Sequence, residues 1–409
     1  MMEKQLEVCW WDGSTVGHLI NRGSLFFVYD EGWLSRGLNL SPLNLPFNEI
    51  AFNGAKGIDG VPGLIADCLP DSWGRKVART AFARNKWGEP TTMSLLAWRG
   101  ERGLGALRFR PPLREGSGGK PDVLEKVSVA SLARGAMDIA RGKPSAFLPQ
   151  LARGGSAGGA GPKALVLAYP DGTLGVGEPD GEGRPCLLKF DESRTAEHAR
   201  SEDAYGRMAR AAGIRCFETE LIEEAAGSDR RHLLVTRFDV MEGDASGYRF
   251  HFHSASGLLH KGPLELDYTD LFRAAIRLAI APEGLRELAR RMIFNVLASN
   301  QDDHGKNHAF LLDEETGQWS LTPAYDLTYS AGLVQRGTQV AGEVWPKAAT
   351  MQKLCEGAGI GREEFRENFH EVVTAVNKWP KWASESGVPR EKRSEIKSRL
   401  QRIMAEVLD

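Results

Sequence analysis

Ser299-Asn300-Gln301-Asp302-Asp303-His304-Gly305-Lys306-Asn307-His308, followed by Thr322-Pro323-Ala324-Tyr325-Asp326, sets a dense run of carboxylate, carboxamide and histidine side chains between apolar segments. Upstream, Leu285, Leu288, Met292, Ile293, Val296 and Leu297 recur at three- and four-residue intervals, which predicts an amphipathic helix ending just before Asp302. Downstream, Ala309-Phe310-Leu311-Leu312 and Trp319-Ser320-Leu321 flank Glu314-Glu315-Thr316-Gly317, a hairpin pattern that returns Asp326 towards Asp302. Either half alone reads equally well as a polar surface loop, since Asp, Asn and Gly are ordinary turn formers. Between a helix and a hairpin, the two segments together offer carboxylate and carboxamide oxygens, the donors a hard divalent cation prefers.

Asp302 and Asn307 stand in a D-x4-N spacing. That is the spacing of a protein-kinase catalytic loop, in which the Asp accepts the hydroxyl proton and the Asn holds a metal. Asp326 then reads as a second metal ligand, because the charge of an ATP γ-phosphoryl group must be neutralised by Mg²⁺. The same offset selects Asp302 over Asp303, since only Asp302 lies five residues before Asn307.

With 409 residues the chain can build two or three domains with substantial cores. The formal net charge of -2 provides no overall basic field to recommend nucleic acid as the main ligand. The five cysteines, Cys9, Cys68, Cys186, Cys216 and Cys355, follow no CxxC or metal spacing and suit a reducing compartment. Residues 1–13 lack a basic start followed by an apolar core, and no run approaches the roughly 20 apolar residues of a membrane span. The expectation is a soluble cytoplasmic protein with no membrane partner.

Residues 1–112 alternate short β-like runs, Val8-Cys9-Trp10-Trp11 and Leu25-Phe26-Phe27-Val28-Tyr29, with Gly- and Asn-rich turns, as a small α/β subdomain does. Arg114-Glu115-Gly116-Ser117-Gly118-Gly119-Lys120-Pro121 is too polar and glycine-rich for a core element, which places a linker at 113–125. Strands are expected at 164–169, 186–190 and 233–238, with a helix over 196–212 between the last two. The reading is therefore a β-rich lobe at 126–240 and a mainly helical lobe at 241–409, an α+β fold of two-lobed, protein-kinase-like form.

Arg153-Gly154-Gly155-Ser156-Ala157-Gly158-Gly159-Ala160-Gly161-Pro162-Lys163 leads directly into a strand. Glycines let a backbone approach an anion and aim successive N–H groups at it, so Ala157, Gly158, Gly159 and Ala160 are candidate phosphate contacts, with Lys163 adding charge. The segment lacks the Gly-Lys-Ser/Thr ending of a Walker A motif and precedes a strand rather than a helix, which disfavours a P-loop NTPase. Lys189 sits in an otherwise apolar strand, where an ammonium group needs an anion. Glu202, on the following helix, is its candidate partner, as the strand lysine and helix glutamate of kinases are. The backbone of Val235, Thr236, Arg237 and Phe238 ends the β-rich part where a kinase hinge would read adenine. Each of these residues, taken singly, also reads as linker or solvated surface.

In this order, the glycine-rich loop, Leu187-Leu188-Lys189-Phe190, Thr236-Arg237-Phe238-Asp239, Asp302-Asp303-His304-Gly305-Lys306-Asn307 and Pro323-Ala324-Tyr325-Asp326 resemble the HipA family of bacterial serine/threonine kinase toxins. Leu69-Pro70-Asp71-Ser72-Trp73-Gly74 resembles the family's Leu-Pro-Asp-Ser signature, and Gly103-Leu104-Gly105-Ala106-Leu107 its Gly-x-Gly-Ala segment, so the likeness spans nearly the whole chain.

The resemblance implies Asp302 as catalytic base, Asn307 and Asp326 as Mg²⁺ ligands, and Lys189 as an ATP phosphate contact. It also implies Ser156 as an autophosphorylation site whose added charge would expel the loop from its anion site. Lys306 and His304 match the catalytic-loop pattern, Lys306 for charge stabilisation and His304 beside the nucleotide or in a structural hydrogen bond. The implied partners are a helix-turn-helix HipB-like antitoxin, DNA mainly through that antitoxin, and a substrate of the aminoacyl-tRNA synthetase class. Ala157 to Lys163 depart from the family's usual loop by extra glycines and Pro162, which bears on loop mobility. A small-molecule kinase and a weakly catalytic nucleotide-binding regulator are the alternatives.

Overall fold

The computed structural model describes residues 4–113, 124–153, 161–177, 180–241, 243, 246–331 and 336–408. Ser156, Ala157, Gly158, Gly159 and Ala160, and most of the expected linker, lie outside the described residues. The chain divides into two compact units, Met1–Glu192 with Ile222–Phe252, and Ser193–Leu221 with His253–Asp409. This division cuts across the expected segments. The 193–221 stretch goes with the C-terminal part because its helix, Glu197–Ala211, packs against Arg362–Asn377 and Trp379–Glu385.

The first unit holds two antiparallel sheets. In one, the order is Phe52–Asn53, Leu25–Tyr29, Thr15–Asn21, Gln5–Cys9, Arg108–Arg110. Alternate residues such as Leu6 and Val8 point into the core with Trp10, Phe27, Trp33 and Phe109, all at most 2% exposed. In the other, Arg231–Thr236, Arg184–Lys189, Lys163–Ala168, Leu174–Val176 and Glu125–Val127 follow in that order. A sixth strand, Thr219–Glu223, crosses the division between the units. The expected strands at 164–169, 186–190 and 233–238 are these central ones, displaced by one or two residues. Their near-continuous buried runs, Ala164 to Leu167 and Leu233-Leu234, show that both faces are covered. Helix Ser72–Asn85 presents Trp73, Val77, Ala78, Ala81 and Phe82 to the core at helical spacing.

The second unit is mainly helical. Its centre is Pro282–Leu297, the helix the apolar spacing predicts, with Leu288, Met292, Ile293, Val296 and Leu297 buried. It packs against Tyr268–Arg277, Ala348–Gly357, Arg362–Asn377 and Arg390–Leu408. Tyr205, fully buried, donates its hydroxyl to the Ala298 carbonyl at 2.5 Å and fixes the exit of that helix. Ala309–Leu312 and Trp319–Leu321 form the expected hairpin, with Phe310 opposite Leu321 and Leu312 opposite Trp319. Its turn closes through Gly317 at φ 68°, a left-handed conformation glycine adopts without Cβ strain. Among the described residues, no helix is long and apolar enough to cross a membrane.

Candidate active site

In the second unit, the chain leaves Pro282–Leu297 through Ser299, itself left-handed at φ 54°, and runs into the catalytic-loop sequence. The two adjacent carboxylates there have opposite settings. Asp302 is exposed, whereas Asp303 is 1% exposed and accepts from the Tyr268 hydroxyl at 3.0 Å, Arg336 Nη2 at 3.4 Å and the Thr338 N–H at 3.4 Å. Burial pushes the Asp303 carboxyl up, and Arg336 and Tyr268 oppose that shift. Arg336, 1% exposed, also donates to the Asn300 carbonyl at 2.9 Å, so this ion pair fastens the loop from beneath. Asp303 is thus occupied in holding the loop, and Asp302 is presented to solvent.

Asn307 donates its Nδ2 to the Asp302 carbonyl at 2.9 Å, which leaves its carboxamide oxygen as an acceptor. The turn between them is closed by Asn307 N–H to the His304 carbonyl at 2.7 Å and anchored by Gly305 N–H to Pro263 at 2.8 Å. A Cβ at Gly305 would overlap the end of the Leu266 side chain, which would have to shift to admit it. His304 Nδ1 is sealed from solvent and has no hydrogen-bond partner among the described residues. Lys306 is half-buried, and its carbonyl accepts from the Tyr325 hydroxyl at 2.6 Å.

Asp326 follows Tyr325 at φ 54°, a left-handed conformation that costs a non-glycine residue on the order of 1–3 kcal/mol and persists only where its surroundings hold it. Here they do. The loop before it is held by Ala324 N–H to the Arg215 carbonyl at 2.8 Å, Arg215 Nη2 to Leu321 at 2.5 Å and Arg291 Nη2 to Thr322 at 2.8 Å.

In the first unit, Lys163 and Lys189 stand directly opposite each other in the antiparallel ladder, a like-charge pairing that an anion would relieve. The Lys163 side chain is 6% exposed, with Nζ 3.8 Å from Asp71 Oδ2. Asp71 Oδ1 meanwhile caps helix Ser72–Asn85 by accepting from Gly74 N–H at 2.5 Å, a cap worth about 1 kcal/mol. The Trp73 indole donates to the Lys163 carbonyl at 2.8 Å. The Leu-Pro-Asp-Ser-Trp segment therefore brackets Lys163. Both the cap at Asp71 and its ionic partner come from the fold.

The segment expected to act as a hinge, Val235 to Phe238, is pinned as well. Arg184 Nη1 donates to Thr236 Oγ1 at 2.7 Å, and Arg237 N–H donates to the Pro185 carbonyl at 3.0 Å. The Arg237 guanidinium makes a bidentate pair with Asp239 at 2.9 and 2.7 Å and reaches the Gly103 carbonyl at 3.3 Å. Asp239 also accepts from Gly105 N–H at 2.7 Å. Burial alone raises the Asp239 carboxyl; the Arg237 guanidinium outweighs it and holds the group below the usual carboxylate range. The Thr-Arg-Phe-Asp and Gly-x-Gly-Ala motifs are thereby two halves of one contact, and the Arg237 side chain is committed to it. Phe238 packs edge-on against Phe252, with ring centroids 5.3 Å apart. Val235 is half-buried in its strand. Glu202 is half-buried on helix Glu197–Ala211 of the second unit, and Lys189 belongs to the first.

Among the described residues, no three His, Cys, Asp or Glu side chains gather as a metal site. Asn307 and Asp326 provide one carboxamide and one carboxylate, on loops joined through Tyr325 and Lys306. Such a small set of hard oxygens suits Mg²⁺ carried in on nucleotide phosphates, which keeps phosphate and water ligands of its own.

The family model of the HipA N-terminal domain matches residues 6–110, and that of the HipA-like C-terminal domain matches 155–380. Y4mE of Sinorhizobium fredii, named as a candidate kinase, is 25% identical over 397 residues, which cover 90% of this chain and 89% of that protein. The structure resembles HipA of Shewanella oneidensis MR-1, solved in complex with HipB and its operator DNA. The TM-score is 0.71 at 18% identity, over 98% of this chain and 96% of that one. At that identity the likeness establishes the α+β fold and nothing about ligands.

Proposed function

The chain belongs to the HipA family, and from that premise we propose that it is an ATP- and Mg²⁺-dependent serine/threonine protein kinase, the toxin of a toxin–antitoxin module. The observation that carries the reading is the division of labour between neighbours: Asp303 is buried in an ion pair with Arg336, while Asp302 is exposed and tied by its carbonyl to Asn307. The kinase name of the Sinorhizobium relative supports it.

In this reading, Asp302 takes the proton of the acceptor hydroxyl as the γ-phosphoryl group is transferred in line. Mg²⁺, when bound, neutralises charge on the phosphates, and Asn307 and Asp326 are the residues that would hold it. Lys163, Lys189 and Lys306 supply positive charge to the phosphates, Glu202 supports Lys189, and His304 lies beside the nucleotide. Ala157 to Ala160 contribute backbone N–H groups, and Val235 to Phe238 offer main-chain groups to the adenine. Ser156 is the site of autophosphorylation, where a phosphate would compete with ATP for the same loop.

The acceptor is a protein of the translation apparatus, of the aminoacyl-tRNA synthetase class that the family resemblance implies, and its modification arrests growth and favours persistence. The partner is a helix-turn-helix HipB-like antitoxin, through which DNA contact is made. The Shewanella HipA complex with HipB and operator DNA supports that assignment. All five cysteines are free thiols, in keeping with a cytoplasmic location.

The test is incubation of the purified chain with γ-labelled ATP and Mg²⁺, alone and with a cell lysate. Label on the chain itself and on a lysate protein is expected. ATP binding without any protein labelling would favour a nucleotide-binding regulator, and label appearing only in small molecules a small-molecule kinase.

A further inference from the structure

We propose that Ser330 is a positioning residue that clamps the backbone of Asp302; its catalytic consequence rests on the kinase reading above. The Ser330 hydroxyl oxygen accepts from two successive backbone N–H groups, those of Gln301 at 2.6 Å and Asp302 at 2.9 Å. Its main chain is engaged with the same segment. Ser330 N–H donates to the Ser299 carbonyl at 3.0 Å, and the Ser299 hydroxyl donates to the Ser330 carbonyl at 3.2 Å. Asn300 and Ser330 form an isolated parallel β-bridge at this point.

Two successive N–H groups aimed at one oxygen make a small concavity that holds an electron-rich atom firmly. The consequence lies in which side of Asp302 each neighbour fixes. Asn307 holds the Asp302 carbonyl, and Ser330 holds its N–H. Both peptide groups of the proton acceptor are therefore set by side chains, one from the catalytic loop and one from the segment that continues past Asp326. Gln301 is 1% exposed, so water is poorly placed to take over the hydroxyl's role at that N–H. Without the hydroxyl, the 301–302 backbone has no acceptor and shifts; a displacement of about 1 Å in a reacting group costs on the order of 10²-fold in rate. The Ser330 hydroxyl oxygen is engaged with the Gln301 and Asp302 N–H groups, so its loss should separate turnover from ATP binding.

The experiment compares Ser330→Ala, Ser330→Cys and Ser330→Thr in the full chain. Readouts are kcat, KM and Kd for ATP, melting temperature, and hydrogen exchange at the Gln301 and Asp302 amides. For Ser330→Ala, kcat should fall roughly 10- to 100-fold while ATP Kd moves less than about threefold. Both amides should exchange faster. Ser330→Cys, a near-isostere with a weak acceptor, should be intermediate and covers the case in which the alanine variant fails to fold. Ser330→Thr should restore both rate and protection. The clamp is overturned if Ser330→Ala, or Ser330→Cys in its place, keeps kcat within about twofold, loses ATP affinity in proportion to rate, or is not rescued by threonine. Absence of phosphoryl transfer by the wild-type chain would sink the kinase reading separately. The exchange of the two amides then still decides the clamp: protection unchanged in the variant removes it.

Discussion

The Tyr325 hydroxyl donates to the Lys306 carbonyl at 2.6 Å, which joins the residue before Asn307 to the residue before Asp326. Two loops separated in sequence by a hairpin are held in register at the point where each presents an oxygen donor.

Tyr325→Phe removes that bond and little else. A net hydrogen bond is worth about 1 kcal/mol, or roughly fivefold in a binding equilibrium. The Mg²⁺ concentration giving half-maximal phosphoryl transfer should rise by about that factor, with the ATP-saturated rate at high Mg²⁺ largely restored. An unchanged Mg²⁺ midpoint would mean that the two loops hold their register without the tyrosine.

Asp302 and Asp303 should separate catalysis from stability. Asp303→Ala leaves Arg336 buried without its counter-charge, and breaking a buried pair in this way costs about 3–5 kcal/mol. Asp302→Ala, at an exposed position, should change urea-unfolding stability by no more than about 0.5 kcal/mol while abolishing transfer. Equal stability losses in the two variants would contradict the roles assigned to them.

Arg237→Ala strands the buried Asp239 carboxylate and should destabilise the first unit by about 3 kcal/mol or more. The Arg237→Ala/Asp239→Ala double variant should recover part of that loss, because the orphaned charge is gone. Additive losses in urea unfolding would show that the pair is not coupled.

His232 gives a pH signature. It is 1% exposed; its Nδ1 accepts from Asp191 N–H at 3.1 Å and its Nε2 lies 3.3 Å from Glu224. Burial lowers its pKa below the usual 6.5, and Glu224 and Asp191 only partly oppose that. A folded-state pKa below the unfolded one means that the unfolded chain takes up the proton first. The stability that the neutral ring contributes is present above about pH 6.5 and is lost as pH falls below it. Urea midpoints measured from pH 7.5 down to 5.5 should drop more steeply for wild type than for His232→Gln. Parallel curves would remove His232 as the cause.

Features carried by short-range patterns were legible in the sequence. The 309–321 hairpin follows from two apolar runs around a Gly317 turn, and the helix before Ser299 from its apolar spacing. The D-x4-N offset prefers Asp302 to Asp303, and the fold leaves Asp302 exposed and Asp303 buried. The supports were not legible, because they join residues far apart in the chain. Asp71 stands in the Leu-Pro-Asp-Ser segment, and its ionic contact with Lys163 depends on a sheet built much later in the sequence. Tyr325 reads as one letter of a motif, and nothing near Ser330 or Arg336 signals that each is bonded to the 300–302 backbone. Arg237 reads as a hinge residue, and only the fold turns its side chain to Asp239. The grouping of helix Glu197–Ala211 with the C-terminal helices was equally invisible, since amphipathic spacing marks a buried face without identifying its partner.

A phosphoproteomic comparison decides whether Asp302 is the proton acceptor of a serine/threonine protein kinase. Lysate treated with wild-type chain, ATP and Mg²⁺ is set against lysate treated with Asp302→Ala under the same conditions. The expected result is one or a few serine or threonine sites, on a translation protein and on the chain's own Ser156, present with wild type and absent with the variant. Identical phosphosite sets from the two, with both chains folded and binding ATP, would contradict it.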